Sequence, residues 1–164
     1  TDTIWGILCD ATNKYAVDKV YKLKKRSESK AMVCMVSNLD MLKEYIPELP
    51  KNIMKYVFSD RPTSVIYSNP IGIAHNALGD EKTVAIRIVN HDFCTPLISA
   101  FGKPLISTSA NLSGQKQPTS YTDISDEIIA GVDHIIKREI NKVNNRSSRI
   151  IKLEKTGKII IIRA

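Results

Sequence analysis

The seven residues Thr83-Val-Ala-Ile-Arg-Ile-Val89 constrain the fold more than any other stretch. A short, β-branched run of this kind is a strand, and strand periodicity sorts its side chains onto two faces. Val84, Ile86 and Ile88 share one face, so that side must lie against an apolar layer. Thr83, Ala85, Arg87 and Val89 share the other. A charge inside such a run needs an anionic partner or a ligand, because an unpaired guanidinium in the interior is costly. Arg87 therefore stands out in a run that is otherwise a plain strand.

The flanking sequence alternates short strands with helices, which predicts an α/β fold: a single-domain, twisted mixed sheet with helices packed against it, spanning residues 1–164. Residues 1–8 read as the exit from a strand that precedes Thr1, so an N-terminal strand is expected to be missing. Asn13 is placed to cap a helix running to about Lys25, with Ala16, Val17, Val20, Tyr21 and Leu23 as its apolar stripe. Residues 31–36 form an apolar strand. Asn38 or Asp40 opens a helix to Tyr45, and Pro50 starts another over residues 51–58. A strand over 63–67 is followed by a loop-rich stretch to Glu81. Asp92 is expected to cap a helix to Phe101, ended by Gly102. After a strand near residues 104–106, Ser120 or Thr122 caps a helix through Ile129. Residues 133–136 read as a strand, and 149–153 and 158–162 as a hairpin around Thr156-Gly157.

Net charge is +7, and nine basic residues fall between Lys137 and Arg163 against Glu139 and Glu154. A second knot is Lys22, Lys24, Lys25, Arg26 and Lys30. Such patches suit polyanions, either nucleotide phosphates or RNA. Cys9, Cys34 and Cys94 are few, odd in number and far apart, and no paired Cys/His spacing occurs; this argues against a metal centre and for reduced thiols in a cytoplasmic protein. No apolar run is long enough to span a bilayer, so no membrane partner is expected.

Residues 103–119 pass from the apolar Pro104-Leu-Ile106 into Ser107, Thr108, Ser109, Asn111 and Ser113, then break at Gly114 and Pro118. On composition alone this is a strand followed by a Ser-rich turn. It lacks the Gly-x-Ser-x-Gly elbow of a hydrolase nucleophile, and no Gly-rich phosphate loop occurs anywhere. What the chain offers is cations and hydroxyls. That inventory fits phosphoryl or nucleotidyl transfer, which depends on positioning and charge stabilisation.

Four motifs in order resemble the YrdC-like threonylcarbamoyl-AMP synthases, over nearly the whole chain. Thr1-Asp-Thr-Ile-Trp-Gly-Ile7 is similar to the family's Pro-Thr-Asp/Glu-Thr-x-Tyr-Gly-Leu. Lys24-Lys-Arg26 with Lys30-Ala-Met32 is similar to its Lys-x-Arg and Lys-Pro-Leu. Thr83 to Arg87 with His91 resembles its Val-x-Val-Arg-x-Pro-x-His strand. Ser107-Thr-Ser-Ala-Asn-Leu-Ser-Gly114 carries its Ser-Ala-Asn-x-Ser-Gly signature. The chain departs from the pattern at Arg61, where glycine is usual, at Met35, where some members have histidine, around Arg146-Ser-Ser-Arg149, and after Arg163.

The resemblance implies synthesis of threonylcarbamoyl-AMP and pyrophosphate from L-threonine, bicarbonate and ATP, with Mg2+ brought by ATP. The product feeds N6-threonylcarbamoyladenosine formation on tRNA with partner proteins. It implies Lys24, Arg26, Ser109 and Asn111 as the catalytic tetrad. Lys24, Arg26, Lys30, Thr83, Ser109, Asn111 and Arg163 would face ATP, and Thr3, Arg87, Ser107 and Ser147 would line a threonine site. Two alternatives share the fold: a non-catalytic tRNA- or double-stranded-RNA-binding protein using the basic C-terminal face, and a carbamoyl-transfer domain of larger hydrogenase-maturation proteins. The Ser109/Asn111 pair argues for the enzyme.

Overall fold

The computed structural model describes residues 1–27, 32–138, 140–141, 143, 146–154 and 156–164. Its centre is one seven-stranded mixed sheet in the order β1-β5-β2-β4-β3-β6-β7. The strands are β1 (Gly6–Asp10), β2 (Val33–Val36), β3 (Thr63–Ser68), β4 (Thr83–Ile88), β5 (Leu105–Ser109), β6 (Arg149–Leu153) and β7 (Ile159–Arg163). Pairs β2/β4 and β3/β6 are parallel and the remaining four are antiparallel, so the expectation of a mixed sheet holds. The helices are α1 (Lys14–Lys24), α2 (Leu39–Tyr45), α3 (Met54–Val57), α4 (Cys94–Phe101) and α5 (Asp126–Gly131).

The register turns the alternation of β4 into two different faces for the whole sheet. Val33 lies opposite both Ala85 of β4 and Ser107 of β5. Because period 2 propagates through paired residues, Thr83, Ala85, Arg87, Ser107 and Ser109 share one face. Ile66 pairs with Ala85 and Ser64 with Ile150, which adds Ser64 and Ile150 to that face. The opposite face holds Val84, Ile86, Cys34, Val36, Ile106, Val65 and Ile151, all buried. These join Val17 and Val20 of α1, Leu42 of α2 and Ile98 of α4 in one apolar core.

Several helix boundaries follow the capping chemistry read from the sequence. Asn13 accepts from the N–H groups of Tyr15 and Ala16, and Asn38, rather than Asp40, caps α2 by accepting from Met41 N–H. Asp92 does not cap α4. The helix begins two residues later, and the His91 imidazole takes that role, its Nδ1 accepting from the N–H groups of Phe93 and Cys94 at 3.2 and 3.3 Å. Ser120 caps a single 3-10 turn (Tyr121–Asp123) in a reciprocal box with Asp123, and α5 starts separately at Asp126.

Of residues 1–8, Gly6 to Leu8 already belong to β1 (Gly6–Asp10), and just before it the Trp5 carbonyl accepts from Ala110 N–H at 3.0 Å. One strand expectation is corrected. Residues 133–136 form no strand; both outer strands of the sheet lie elsewhere, and this segment borders an apolar cleft beside α1, α4 and α5. The start of the predicted strand at Ala31 lies outside the described residues. The hairpin of β6 and β7 forms as expected, with Gly157 at φ 82° in its turn and a bulge between Ile150 and Ile151.

Ile86 reports directly on this packing. Ile86→Ala removes a side chain that is almost wholly buried between the strands and the helices, and is expected to cost about 2–5 kcal/mol. A drop in the urea midpoint at unchanged slope, followed by circular dichroism, is the check.

Candidate active site

On the polar face, a cavity of about 220 Å³ is lined by Thr3, Arg26, Arg87, Ser107, Ser109, Ser147 and Arg163, among others. Seven residues singled out in the sequence thus converge from six separate parts of the chain. A larger cleft of about 600 Å³ lies beside α1, α4 and α5, but its walls are mainly apolar. The smaller cavity is the candidate site because convergent polar groups, not size, give a pocket its chemistry.

Arg26 reaches the cavity through an unusual helix end. Lys25 adopts left-handed backbone (φ 49°, ψ 42°), and Arg26 N–H closes onto the Tyr21 carbonyl at 3.0 Å. A non-glycine residue there costs about 1–2 kcal/mol, offset by satisfied helix carbonyls. The reversal sends Lys24 and Arg26 to different places. Arg26 lines the cavity, whereas Lys24 is buried and its Nζ donates to the main-chain carbonyls of Ser109 and, at 2.6 Å, Asn111. Burial, with Arg26 beside it, pulls the Lys24 ammonium down to about 8. Asn111 also faces the protein: its Nδ2 donates to the carbonyls of Leu112 and Gln115, each at 2.9 Å. The Lys24 and Asn111 side chains, expected on phosphates, are therefore engaged with the main chain of the Ser-rich turn.

Arg87 is 4% exposed, and its partner is Asp2: Nη1 donates to both carboxylate oxygens at 2.9 Å. The sequence placed a substrate carboxylate there and missed Asp2, because an acid 85 positions away gives no spacing signal. Among the described residues, Nη2 meets only the Met35 sulfur at 3.5 Å, and Nε is buried with no hydrogen-bond partner.

At the other wall, Arg163 donates from Nε and Nη2 to the Ser148 carbonyl at 3.0 and 2.7 Å, and burial lowers its pKa. Ser148 in turn shares a 2.9 Å hydroxyl bond with Ser64. Ser147 donates to Gln117 Oε1 at 3.1 Å, joining the segment before β6 to the Ser-rich segment. Gln117, Ser148 and Ser64 were not singled out from sequence; a lone hydroxyl or amide carries no pattern, whether in a loop or, like Ser64, within a strand.

Thr83 is corrected. It shares the face of Arg87 but stands at the opposite end of β4, its hydroxyl donates to the Asp80 carbonyl at 2.8 Å, and it does not line the cavity. Lys30 lies outside the described residues. Among the described residues no group of three or more His, Cys, Asp or Glu side chains could hold a metal ion. The basic C-terminal residues do not form one free surface. Arg149 donates to Thr63 Oγ1 at 2.8 Å, Arg163 binds Ser148, and Arg138 stacks over Phe93 at 5.4 Å; Lys142 and Lys155 lie outside the described residues.

The fold and site define an α/β protein whose sheet presents cations and hydroxyls to a small polar cavity. The family model Sua5_yciO_yrdC, with the description "Telomere recombination", matches residues 1–164, and the chain belongs to this family. It is 28% identical over 165 residues to a threonylcarbamoyl-AMP synthase of Pseudoalteromonas translucida (strain TAC 125), covering 97% of this chain and 86% of that protein. It is 30% identical over 154 residues to the protein of the same name from Vibrio vulnificus (strain YJ016), covering 92% and 82%. Among solved structures, P. abyssi Sua5 complexed with L-threonine superposes with a TM-score of 0.85 at 22% identity, covering 99% of this chain and 48% of that one. E. coli YciO gives 0.80 at 21% identity, covering 99% and 79%.

The Asp2–Arg87 pair can be tested without any ligand. Asp2→Asn leaves a buried guanidinium without its anion, at about 2–3 kcal/mol, below the ~3–5 kcal/mol of a fully enclosed pair because Asp2 is 23% exposed. Adding Arg87→Met to Asp2→Asn is expected to recover most of that loss in urea titrations. A double variant as unstable as the sum of the single ones would show that the pair is not coupled.

Proposed function

We propose that this chain is an L-threonylcarbamoyladenylate synthase, converting L-threonine, bicarbonate and ATP to threonylcarbamoyl-AMP and pyrophosphate. The observation that carries the reading is the convergence of Arg26, Arg87, Arg163, Ser107, Ser109 and Ser147 on one small cavity. The full-length match to the family and the names of its relatives support it.

In this reading threonine occupies the inner cavity, which at about 220 Å³ is smaller than the ~300–1,000 Å³ usual for larger ligands. Asp2 holds one nitrogen of Arg87, while among the described residues Nε has no partner and Nη2 meets only sulfur, so the guanidinium keeps capacity for the amino-acid carboxylate. Thr3, Ser107 and Ser147 supply the groups that recognise the threonine hydroxyl and amine. A buried polar group left unpaired by valine is what rejects that analogue.

The amine of threonine attacks bicarbonate, and loss of water gives N-carboxythreonine. One oxygen of the new carboxylate then attacks the α-phosphorus of ATP in line, and the bond to the bridging oxygen breaks to release pyrophosphate. Arg26, Ser109 and Arg163 face the triphosphate and stabilise the charge that develops on the leaving group. Magnesium arrives with ATP as the counter-ion of its phosphates. The product hydrolyses readily, so a closed cavity protects it and a tRNA-modifying partner receives it in the cytoplasm. The engagement of Arg149 and Arg163 within the protein does not favour a reading in which the C-terminal residues serve RNA binding.

Pyrophosphate release from ATP is expected only when L-threonine and bicarbonate are both present; turnover without threonine would overturn the reading. Arg26→Ala is expected to lower kcat/KM for ATP by about 10²–10³-fold, the loss typical of one transition-state charge contact. Ser107→Ala is expected to raise KM for threonine about tenfold, the effect of one buried hydrogen bond.

A further inference from the structure

We propose that Lys24 is a positioning residue: its ammonium ties the Ser109–Ser113 turn to the end of α1 and does not touch the nucleotide. The assay below rests on the synthase reading; the geometry does not.

The lysine is 1% exposed and does not line the cavity, although Arg26, two residues on, does. Its Nζ donates to the carbonyls of Ser109 and Asn111, two residues apart in the turn that follows β5. Its own carbonyl accepts from Ser113 N–H at 2.7 Å. One residue thus makes three hydrogen bonds to a five-residue turn, from its side chain and its main chain together. Asn111 braces the same turn through Leu112 and Gln115, and Ala110 N–H holds it to Trp5.

Two carbonyl oxygens aimed at one point repel each other unless a cation stands between them. An ammonium supplies that charge with tetrahedral donors, two of which are used here. A guanidinium is planar and larger, so it does not take the same place between carbonyls at a position that is 1% exposed. The clamp has a direct consequence for the cavity. Ser109 is at once the last residue of β5, a cavity-lining residue and an acceptor for Lys24. Ser107 lies two residues back on the same face, and Arg26 leaves the same helix end. Lys24 therefore sets the separation between the wall that carries Arg26 and the wall that carries Ser107 and Ser109. Loss of the clamp disturbs threonine and ATP alike, whereas loss of a phosphate contact disturbs ATP alone.

The experiment titrates full-chain variants calorimetrically with Mg-ATP and with L-threonine separately. Arg26→Ala is expected to weaken ATP about tenfold or more and leave threonine within about twofold. Lys24→Met and Lys24→Arg are each expected to weaken both ligands by about tenfold or more and to lower kcat as well. An arginine can replace a lysine on a phosphate, so Lys24→Arg binding ATP within about threefold of the parent would overturn the proposal. So would a Lys24→Met protein that loses ATP but binds threonine normally. Amide hydrogen exchange of the ligand-free proteins tests the clamp independently: residues 110–115 are expected to lose protection in Lys24→Met while β4 keeps its own. Unchanged exchange in the turn would overturn the proposal. If the parent bound neither ligand, the synthase reading would fall and the exchange result would still decide the clamp. Should Lys24→Met not fold, Lys24→Arg and the shorter donor Lys24→Gln carry the same measurements.

Discussion

The structure depends on the register that locks β4, β2 and β5 together. Val33 faces Ala85 on one side and Ser107 on the other, so three strands agree on which residues point where. A slip by one residue on any of them would send its whole side-chain set to the opposite face. Ile86 and Ile106 would then meet the cavity, and Arg87 and Ser107 would meet the helices. The core holds this register because the helix-covered face is continuously apolar across five strands, from Ile106 through Cys34, Ile86 and Val65 to Ile151. Placing the chemistry on the other face costs the core nothing.

Two buried cations then shape the polar face, and they are satisfied by different means. Arg87 has a carboxylate, Asp2, which supplies full opposite charge but leaves part of the guanidinium without a strong acceptor. Lys24 has carbonyl dipoles, which take two of its protons without cancelling its charge, and burial with Arg26 beside it lowers its pKa. The first arrangement leaves capacity for a ligand. The second consumes it in holding a turn.

Much of this was legible in the sequence. The alternation of residues 83–89 announces both faces of the sheet, and Asn13, Asn38 and Gly157 announce their turns and caps, because these are local rules with local residues. The Lys-x-Arg, Arg87 and Ser-Ala-Asn motifs identify Arg26, Arg87 and Ser109 in the cavity wall for the same reason. What stayed hidden depends on contacts between distant residues. Asp2 on Arg87, Arg163 on Ser148 and Ser147 on Gln117 join positions 85, 15 and 30 residues apart. The split between Lys24 and Arg26 was hidden too, because Lys25 takes a backbone conformation that its residue type does not advertise. Residues 133–136 have the composition of a strand yet border the apolar cleft without joining the sheet; composition alone does not reveal that.

The far edge of the sheet carries a last consequence. β7 is four consecutive isoleucines followed by Arg163, and Ile161 and Ile162 are 59% and 56% exposed. An outermost strand with that composition is a template for self-association. Exposed Lys158 stands at its start as a gatekeeper against stacking of one molecule on the next, whereas the Arg163 guanidinium at its end turns inward to the Ser148 carbonyl. Solubility and ligand handling are thus divided between the two ends of one strand.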